Sequence, residues 1–206
     1  DAGNALAKGE PALPRPEMGI LGRKYRAHIL TGNNPAEHAV FTAGSDEHGK
    51  TYVLHGITGS GKTEIYMQLA SQALKKGKQV VVLVPEIALT GQIVRRFLRR
   101  FGDDVVVMHS QLSQGEKRNN WLRMQNGTSH ICIGARSAVF AAAQSIGLFI
   151  VDEAHDSSYK QDEAPRYHAV AVARQRAAYY GCPVVLGSAT PALADYYRAL
   201  QGEYVL

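Results

Sequence analysis

The sequence predicts an α/β fold in which helices cover both faces of a mostly parallel central sheet. From Thr51 onward, short apolar runs alternate with helical stretches, and runs such as VVVLV and LFIV are apolar throughout. Strands without alternation are typical of a parallel sheet buried between two helix layers, and strands that alternate with helices predict right-handed crossovers. Because ligands of such sheets bind at the carboxyl ends of the strands, we expect functional residues at that edge.

The expected elements follow the chain in order. Residues 1–27 carry clustered Pro and Gly without a period, which indicates a linker or the remnant of a preceding domain. Residues 28–43 indicate a turn that opens a short helix, with Asn33 or Asn34 as its cap and Pro35 at its first position. We expect one domain over residues 28–206, with strands at 52–54, 80–84, 105–108, 131–133, 148–151 and 184–186, and helices at 64–76, 91–101, 114–126, 168–180 and 192–201.

The composition is that of an ordinary globular domain. The 206 residues suffice for one well-buried domain with a small appendage, and no apolar run is long enough to cross a membrane. The first residue is Asp rather than Met, as expected of a fragment, and the N-terminus lacks the apolar core of a signal peptide. Cys132 and Cys182 have no partners at zinc spacing, so we expect no zinc, no membrane contact and a reducing, cytoplasmic location.

The charge balance favours a polyanionic partner. The chain carries 23 Lys and Arg against 18 Asp and Glu, a formal net charge of +5, and its sequence pI is near 9.2. Such a balance is typical of nucleic-acid-binding domains, although basic clusters also occur on the solvated ends of ordinary helices.

The most specific stretch is GITGSGKT, which matches the phosphate-binding P-loop pattern G-x-x-x-x-G-K-[ST]. Its glycines let the backbone curl so that N–H groups point inward at the start of a helix and form an anion cradle. In this pattern Lys62 reaches the β and γ phosphates, and the hydroxyl of Thr63 ligates Mg²⁺. The sequence therefore predicts an ATP and Mg²⁺ site that includes Gly56, Ile57, Thr58, Gly59, Ser60, Gly61, Lys62 and Thr63.

Two more strand ends carry matching chemistry. LFIVDEAH ends an apolar run in a pair of carboxylates, of which Asp152 can hold Mg²⁺ through water and Glu153 can polarise the attacking water as a general base. GSATP follows another apolar run, and its Ser188, Ala189 and Thr190 are placed to sense the γ phosphate. Each stretch alone is also consistent with an ordinary turn, so it is the series that predicts the site.

Nucleic-acid contacts are expected in the loops that end the remaining strands. Within VPEIALTGQ, HSQLSQG and GARSAVF, we single out Ser110, Arg136 and Ser137 for phosphate contacts. The segment after DEAH mixes aromatic rings with positive charge, as a single-strand stacking site does, in Tyr159, Lys160, Arg166, Tyr167 and His168. The alternative is an ordinary surface loop with two tyrosines packed underneath.

In this order, the motifs resemble those of the superfamily 2 helicases and, within them, the primosomal protein N′ (PriA) family of replication-restart helicases. The resemblance rests on HGITGSGKTEIYM, LVPEIALTGQ, HSQLSQGEK followed by Trp121, IGARSAVF, GLFIVDEAHDSSYKQ, PRYHA and LGSATPAL, and covers roughly residues 51–206. It implies the first of two RecA-like P-loop lobes, a three-layer sandwich. It also implies ATP-dependent unwinding of DNA with 3′ to 5′ polarity and reloading of the replicative helicase at stalled forks.

The resemblance assigns roles residue by residue. Lys62, Thr63 and the neighbouring Glu64 fall on motif I; Asp152, Glu153 and His155 on motif II; Ser188, Ala189 and Thr190 on motif III; and residues 159–168 on an aromatic-rich loop that couples DNA binding to ATP hydrolysis. The implied partners are single-stranded and forked DNA, a second helicase lobe, other primosome proteins and single-stranded DNA-binding protein. Without the second lobe and its arginine fingers, worth roughly 10³ to 10⁵ in kcat, the fragment is expected to hydrolyse ATP poorly.

Three alternatives stay open. Another superfamily 2 motor, such as a RecG-like translocase, shares the P-loop and the acidic pair but lacks SYKQ followed by RYHA. A degenerate, non-catalytic nucleotide-binding module is favoured by the altered loop, with Pro165, Val170 and Ala171, and by the missing second lobe, whereas the intact Lys62, Asp152 and Glu153 argue against it. Two further departures from the family pattern are Ala154, at a position not expected to touch ATP, and Glu37, near the place of an adenine-reading Gln. A small-molecule kinase is a distant possibility because no substrate lid is evident.

Overall fold

The computed structural model describes residues 49–57, 59–89 and 91–206. The expectations for residues 1–27, for the turn and helix in 28–43, and for Glu37 and Thr58 lie outside the described residues. The strands are β1 (Thr51–His55), β2 (Gln79–Leu83), β3 (Val105–Met108), β4 (Ile131–Gly134), β5 (Ile146–Val151), β6 (Lys160–Gln161), β7 (Tyr167–His168) and β8 (Val184–Ser188). The helices are α1 (Lys62–Lys75), α2 (Gln92–Phe101), α3 (Gln114–Gln125), α4 (Ala169–Tyr180) and α5 (Leu193–Leu200).

The central sheet has six strands in the order β1-β8-β5-β2-β4-β3. Every neighbouring pair in it is parallel, from Thr51 opposite Val184 at one side to Met108 opposite Gly134 at the other. The expected α/β fold is therefore confirmed, and the six predicted strands correspond to these six. The insertion of β8 between β1 and β5 brings the ends of three motif-bearing strands side by side.

Successive residues of the central strands enter two separate cores, as the period of two in a strand requires. On β2, Val80 and Val82 pack with α1 and α2 on one face, whereas Val81 and Leu83 pack with α4 and with Met124 of α3 on the other. The strand residues are almost fully buried because both faces are covered. This rigid sheet fixes the positions of the loops at its carboxyl edge.

The structure adds elements that the sequence did not predict. β6 and β7 form a two-stranded antiparallel hairpin after DEAH, and short 3₁₀ turns follow three strand ends at Glu86–Ala88, Arg136–Phe140 and Ser157–Tyr159. After α5 the chain returns to β1, where Val53 N–H donates to Val205 C=O at 2.8 Å and Val205 N–H donates to Thr51 C=O at 3.0 Å. These last residues cover the outer edge of β1.

Among the described residues, no helix combines the length and apolarity that a bilayer crossing requires. Cys132 and Cys182 are both free thiols in the interior. Burial raises the pKa of each thiol to about 12, so neither is reactive as a thiolate near neutral pH.

Candidate nucleotide site and nucleic-acid edge

The P-loop follows β1, and its glycines adopt the backbone conformation that the pattern predicts. Gly59 has φ 82° and Gly61 has φ 94°, both in the left-handed region that favours glycine. The curled backbone is closed by Ser60 N–H donating to Ile57 C=O at 3.1 Å, and α1 begins directly after it at Lys62. The loop is tied to β8 by Gly56 N–H, which donates to Ser188 C=O at 3.1 Å. The loop therefore leads directly into the N-terminus of α1, the end of a helix that favours an anion.

The amine of Lys62 lies between its own loop and the acidic pair. It donates to Gly56 C=O at 2.6 Å and to Ile57 C=O at 3.2 Å, and it stands 3.9 Å from Glu153 Oε1. The side chain is nearly buried, with 7% of its surface exposed. The structure therefore brings Lys62 and Glu153 together although they are far apart in sequence.

The second carboxylate is held by a residue that the motif analysis missed. Tyr66 Oη donates to Asp152 Oδ1 at 2.9 Å, and the tyrosine is fully buried. Burial raises the pKa of Asp152, while the bond from Tyr66 opposes that rise. Burial and the neighbouring Asp152 carboxylate also raise the pKa of Tyr66 well above its usual value, so the phenol stays neutral and donates.

One feature of the sequence, its spacing from Lys62, is compatible with this role of Tyr66, and the structure adds a second. It follows Lys62 by four residues on α1, so both side chains lie on one helix face. Its hydroxyl also occupies the space beside Gly187 in GSAT, where an added Cβ would lie 1.6 Å from that oxygen. The glycine of GSAT is thus required by the tyrosine that orients Asp152.

GSAT and DEAH are joined by direct hydrogen bonds. Glu153 has φ 45°, which is an unusual backbone conformation for a residue other than glycine. Its Oε2 lies 3.6 Å from His155 Nδ1. The same ring nitrogen lies 2.7 Å from Ser188 Oγ, which also accepts the backbone N–H of Thr190 at 2.9 Å. Ala189 contributes its C=O, 3.1 Å from Nε2 of His55. These contacts couple the two segments, so a change in the conformation of one would shift the side chains of the other.

Glu64 points away from the loop in this structure. Its Oε1 accepts from Arg100 Nη1 on α2 at 2.8 Å and from Gln68 Nε2 at 3.2 Å. The nucleotide contact expected of Glu64 stays a prediction.

The donor set fits a nucleotide phosphate and Mg²⁺. Ser60 Oγ is buried and has no hydrogen-bond partner among the described residues, as expected of a group placed for a ligand. A Cβ added at Gly59 or Gly61 would meet no atom within 4 Å, so it is the positive φ of each residue that favours glycine there. The hydroxyl of Thr63 and the carboxylate of Asp152 supply the oxygen ligands that Mg²⁺ prefers. Within the described ranges, no group of three or more His, Cys, Asp or Glu side chains is arranged to hold a metal by itself.

The other half of the same edge carries the predicted phosphate contacts. Ser110 Oγ donates to Glu86 Oε1 at 2.7 Å, and Ser137 is exposed. Arg136 Nη1 donates to Lys160 C=O at 2.6 Å and to Ser158 C=O at 3.3 Å. Arg136 therefore ties the end of β4 to the segment after DEAH, and its remaining N–H groups are available for a phosphate.

Tyr159 corrects one prediction for the nucleic-acid site. It is completely buried, and its hydroxyl donates to Asp152 C=O at 2.6 Å. A ring in the core offers no face to a base, so Tyr159 supports the DEAH turn instead of stacking on DNA.

The other residues of that segment come together on the β6–β7 hairpin. Lys160 pairs with Asp162 at 2.8 Å, and Tyr167 meets Phe140 edge to face at a centroid distance of 5.0 Å. Lys160, Arg166, Tyr167 and His168 line an open groove of about 510 Å³.

With this geometry in place, comparison with known proteins defines the class. The family described as DEAD/DEAH box helicase matches residues 34–199, and the chain belongs to that family. Over 165 residues it is 56% identical to the replication restart protein PriA of Bacillus subtilis (strain 168), covering 80% of this chain and 20% of that protein. It is 54% identical over 157 residues to PriA of Chlamydia pneumoniae, covering 76% of this chain and 21% of that protein.

These matches confirm the resemblance to the replication-restart helicases. The chain spans about a fifth of the length of these relatives. Among solved structures, the Pyrococcus furiosus Hef helicase domain superposes with a TM-score of 0.51 at 22% identity, covering 76% of this chain and 32% of that one. At that identity the likeness supports the RecA-like helicase fold.

Proposed function

We propose that this chain is the ATP-binding lobe of an ATP-dependent 3′ to 5′ DNA helicase that acts in replication restart. The observation that carries the proposal is the convergence of Lys62, Asp152 and Glu153 where β1, β8 and β5 end together. The 56% identity to the replication restart protein PriA of Bacillus subtilis over 165 residues supports the same function.

In the proposed site, the loop from Gly56 to Thr63 binds the phosphates through its backbone N–H groups and the ammonium of Lys62. The amine now donates to the carbonyls of Gly56 and Ile57, so it exchanges those bonds for phosphate oxygens when nucleotide binds. Thr63 and Asp152 would hold Mg²⁺, which when bound would supply positive charge to neutralise the phosphate oxygens. Tyr66 keeps the Asp152 carboxylate oriented.

Hydrolysis requires a base and a sensor. Glu153 lies between Lys62 and His155, where its carboxylate can accept a proton from an attacking water. His155 and Ser188 share a hydrogen bond, so a change at Glu153 is passed to Thr190 through that pair. We assign Ser188, Ala189 and Thr190 the coupling role on this basis.

The partners follow from the second half of the edge and from the relatives. Single-stranded and forked DNA would bind along Ser110, Arg136 and Ser137 and the hairpin residues Lys160, Arg166, Tyr167 and His168. A second helicase lobe would close over the nucleotide and complete the ATPase. Other primosome proteins and single-stranded DNA-binding protein are proposed partners of the complete protein, which would act in the cytoplasm.

The test is ATP-dependent unwinding by a protein that carries this lobe together with a second helicase lobe. Lys62→Ala is expected to abolish unwinding and leave binding of single-stranded DNA largely intact, because the amine belongs to the nucleotide site. Lys75→Ala, at the exposed far end of the same helix, is the matched control and should unwind normally. Full unwinding by Lys62→Ala would refute the proposal.

A further inference from the structure

Trp121 is the one tryptophan of the chain, and 44% of its surface is exposed. It lies on α3, whose buried residue is Met124, so most of this helix stands outside the core. A large aromatic ring left in solvent on a helix with few core contacts is not explained by packing.

The ring belongs to one continuous stripe of α3. Gln114, Lys117, Arg118 and Trp121 recur at the three- and four-residue spacing that places side chains on one helix face. Together with Met108, His109, Ser110 and Ser137, they line an open groove of about 460 Å³. The groove therefore joins α3 to the ends of β3 and β4, at the same edge of the sheet as the predicted phosphate contacts.

The groove has a positive lining. Lys117 and Arg118 face it together with His109, and Lys117 Nζ donates to Ser110 C=O at 3.0 Å, which holds the ammonium at the groove wall. Glu116 and Glu86 are acidic residues near this groove, and each is held by a serine. Glu116 closes the capping box of α3 with Ser113, and Glu86 accepts from Ser110. An anion is therefore favoured on the α3 side of the groove and disfavoured beside Glu86.

We propose that Trp121 is a base-stacking residue for single-stranded nucleic acid, with Lys117 and Arg118 holding the flanking phosphates. A flat aromatic face beside two cations fits a base attached to a phosphate backbone, because every base offers a π-face and every linkage a negative charge. This inference rests on the proposed function and adds to it a residue that contacts the bases of the strand. The strand would leave the groove past Ser137 toward Arg136.

The experiment uses the intrinsic fluorescence of the chain, since its single tryptophan reports on this groove alone. Titration with oligothymidylate should quench that fluorescence, whereas an abasic oligomer of the same length should not. Affinity is measured separately by anisotropy of a labelled oligothymidylate. Trp121→Ala should weaken binding at least about fivefold, and Trp121→Phe should retain most of the affinity because a phenyl ring still stacks.

Controls separate stacking from general effects. Tyr179→Ala removes another exposed aromatic residue, on α4, and should leave the affinity unchanged. Lys117→Gln should lower the salt dependence of binding by about one phosphate contact while the quenching persists. Thermal unfolding of each variant checks that it folds, and where Trp121→Ala does not fold, the comparison of quenching by oligothymidylate and by the abasic oligomer in the unmutated chain carries the test.

Several results would overturn the inference: equal quenching by the abasic oligomer, unchanged affinity in Trp121→Ala, or equal weakening in the Ala and Phe variants. Oligothymidylate binding without quenching would place the strand elsewhere and leave room for a protein partner on the groove. Each of these leaves the proposed function standing, because that function is judged by the Lys62→Ala test.

Discussion

The carboxyl edge of the sheet has two halves that are built differently. At the ends of β1, β8 and β5 the functional side chains are bonded to one another, as Tyr66 with Asp152 and Ser188 with His155 show, and Lys62, Tyr66 and Ser188 are buried. At the ends of β2, β4 and β3 the polar and aromatic groups are exposed, as Ser137 and Trp121 are. The first half has its geometry fixed before any ligand binds, whereas the second offers an open surface.

The difference matches what each half has to recognise. A triphosphate with its metal is small and undergoes a reaction, so its site requires side chains held at fixed distances from the reacting atoms. A nucleic-acid strand is long and is bound mainly by its repeating phosphates and base faces, so contacts can be spread over an open surface. Substitutions in the first half should therefore disturb stability and catalysis together, and substitutions in the second should disturb binding alone.

The largest effect is expected from Gly187→Ala. Its Cβ would lie 1.6 Å from Tyr66 Oη, so the tyrosine has to leave its bond with Asp152. Overpacking of this kind costs about 1–3 kcal/mol, and the broken bond adds to it. We expect a lowered Tm and loss of ATP turnover in a two-lobe protein.

Gly115→Ala is the matched control for that substitution. Gly115 lies in α3 with open space around it and without a positive φ, so alanine should be neutral or stabilise by about 0.5–1 kcal/mol. A Gly187→Ala protein with the wild-type Tm and full turnover would contradict the tight packing of the first half.

Tyr66→Phe is expected to have the next largest effect. It removes the donor to a largely buried carboxylate, which should cost about 1.5–3 kcal/mol at neutral pH. It should also raise the pKa of Asp152 further, because the bond from Tyr66 now lowers it. Chemical denaturation measures the loss of stability, and an unchanged midpoint would show that Tyr66 does not support the carboxylate.

Asp152→Asn should also change stability and activity together, but in opposite directions. Burial raises the pKa of Asp152 in the folded protein, so the folded state disfavours the ionised form. That cost is present above the folded-state pKa and disappears as the pH falls below the usual aspartate range, about pH 4. Asparagine should therefore raise the Tm at neutral pH, with a gain that shrinks on acidification, and should abolish ATP turnover. A gain in Tm that grew on acidification would show that folding lowers the pKa of Asp152 and does not raise it.

The smallest effect is expected from Tyr159→Phe. It leaves Asp152 C=O without its donor and should cost about 1 kcal/mol of stability, while the affinity for single-stranded DNA stays unchanged. Tyr179→Phe, which removes a hydroxyl from an exposed ring, should leave the Tm unaltered. A loss of DNA affinity in Tyr159→Phe without a loss of stability would show that Tyr159 belongs to the nucleic-acid site.

The sequence was informative where spacing determines structure. The P-loop pattern predicted a curled backbone that depends on glycine, and the positive φ of Gly59 and Gly61 agrees with it. Apolar runs predicted the strands of the sheet because both of its faces are buried. Neither signal gives strand order, so the insertion of β8 between β1 and β5, which unites the site, had to come from tertiary structure.

Side-chain environment was harder to predict. Tyr159 and Tyr167 occur in similar mixtures of charge and aromatic residues, yet one is in the core and the other is half-buried beside Phe140. The two-residue strands β6 and β7 are too short to show a period. In the sequence, nothing distinguishes Tyr66 from the apolar residues of α1. Only the structure shows that its hydroxyl fills the space beside Gly187.

The most direct test of the central claim, that the phosphate cradle and the acidic pair hold a single magnesium nucleotide, is the affinity for a fluorescent ATP analogue with and without Mg²⁺. Lys62→Ala should weaken binding at least about tenfold through the lost phosphate contact, and Asp152→Ala should remove most of the gain in affinity that Mg²⁺ gives the wild type. Wild-type affinity and full Mg²⁺ dependence in both variants would contradict the claim.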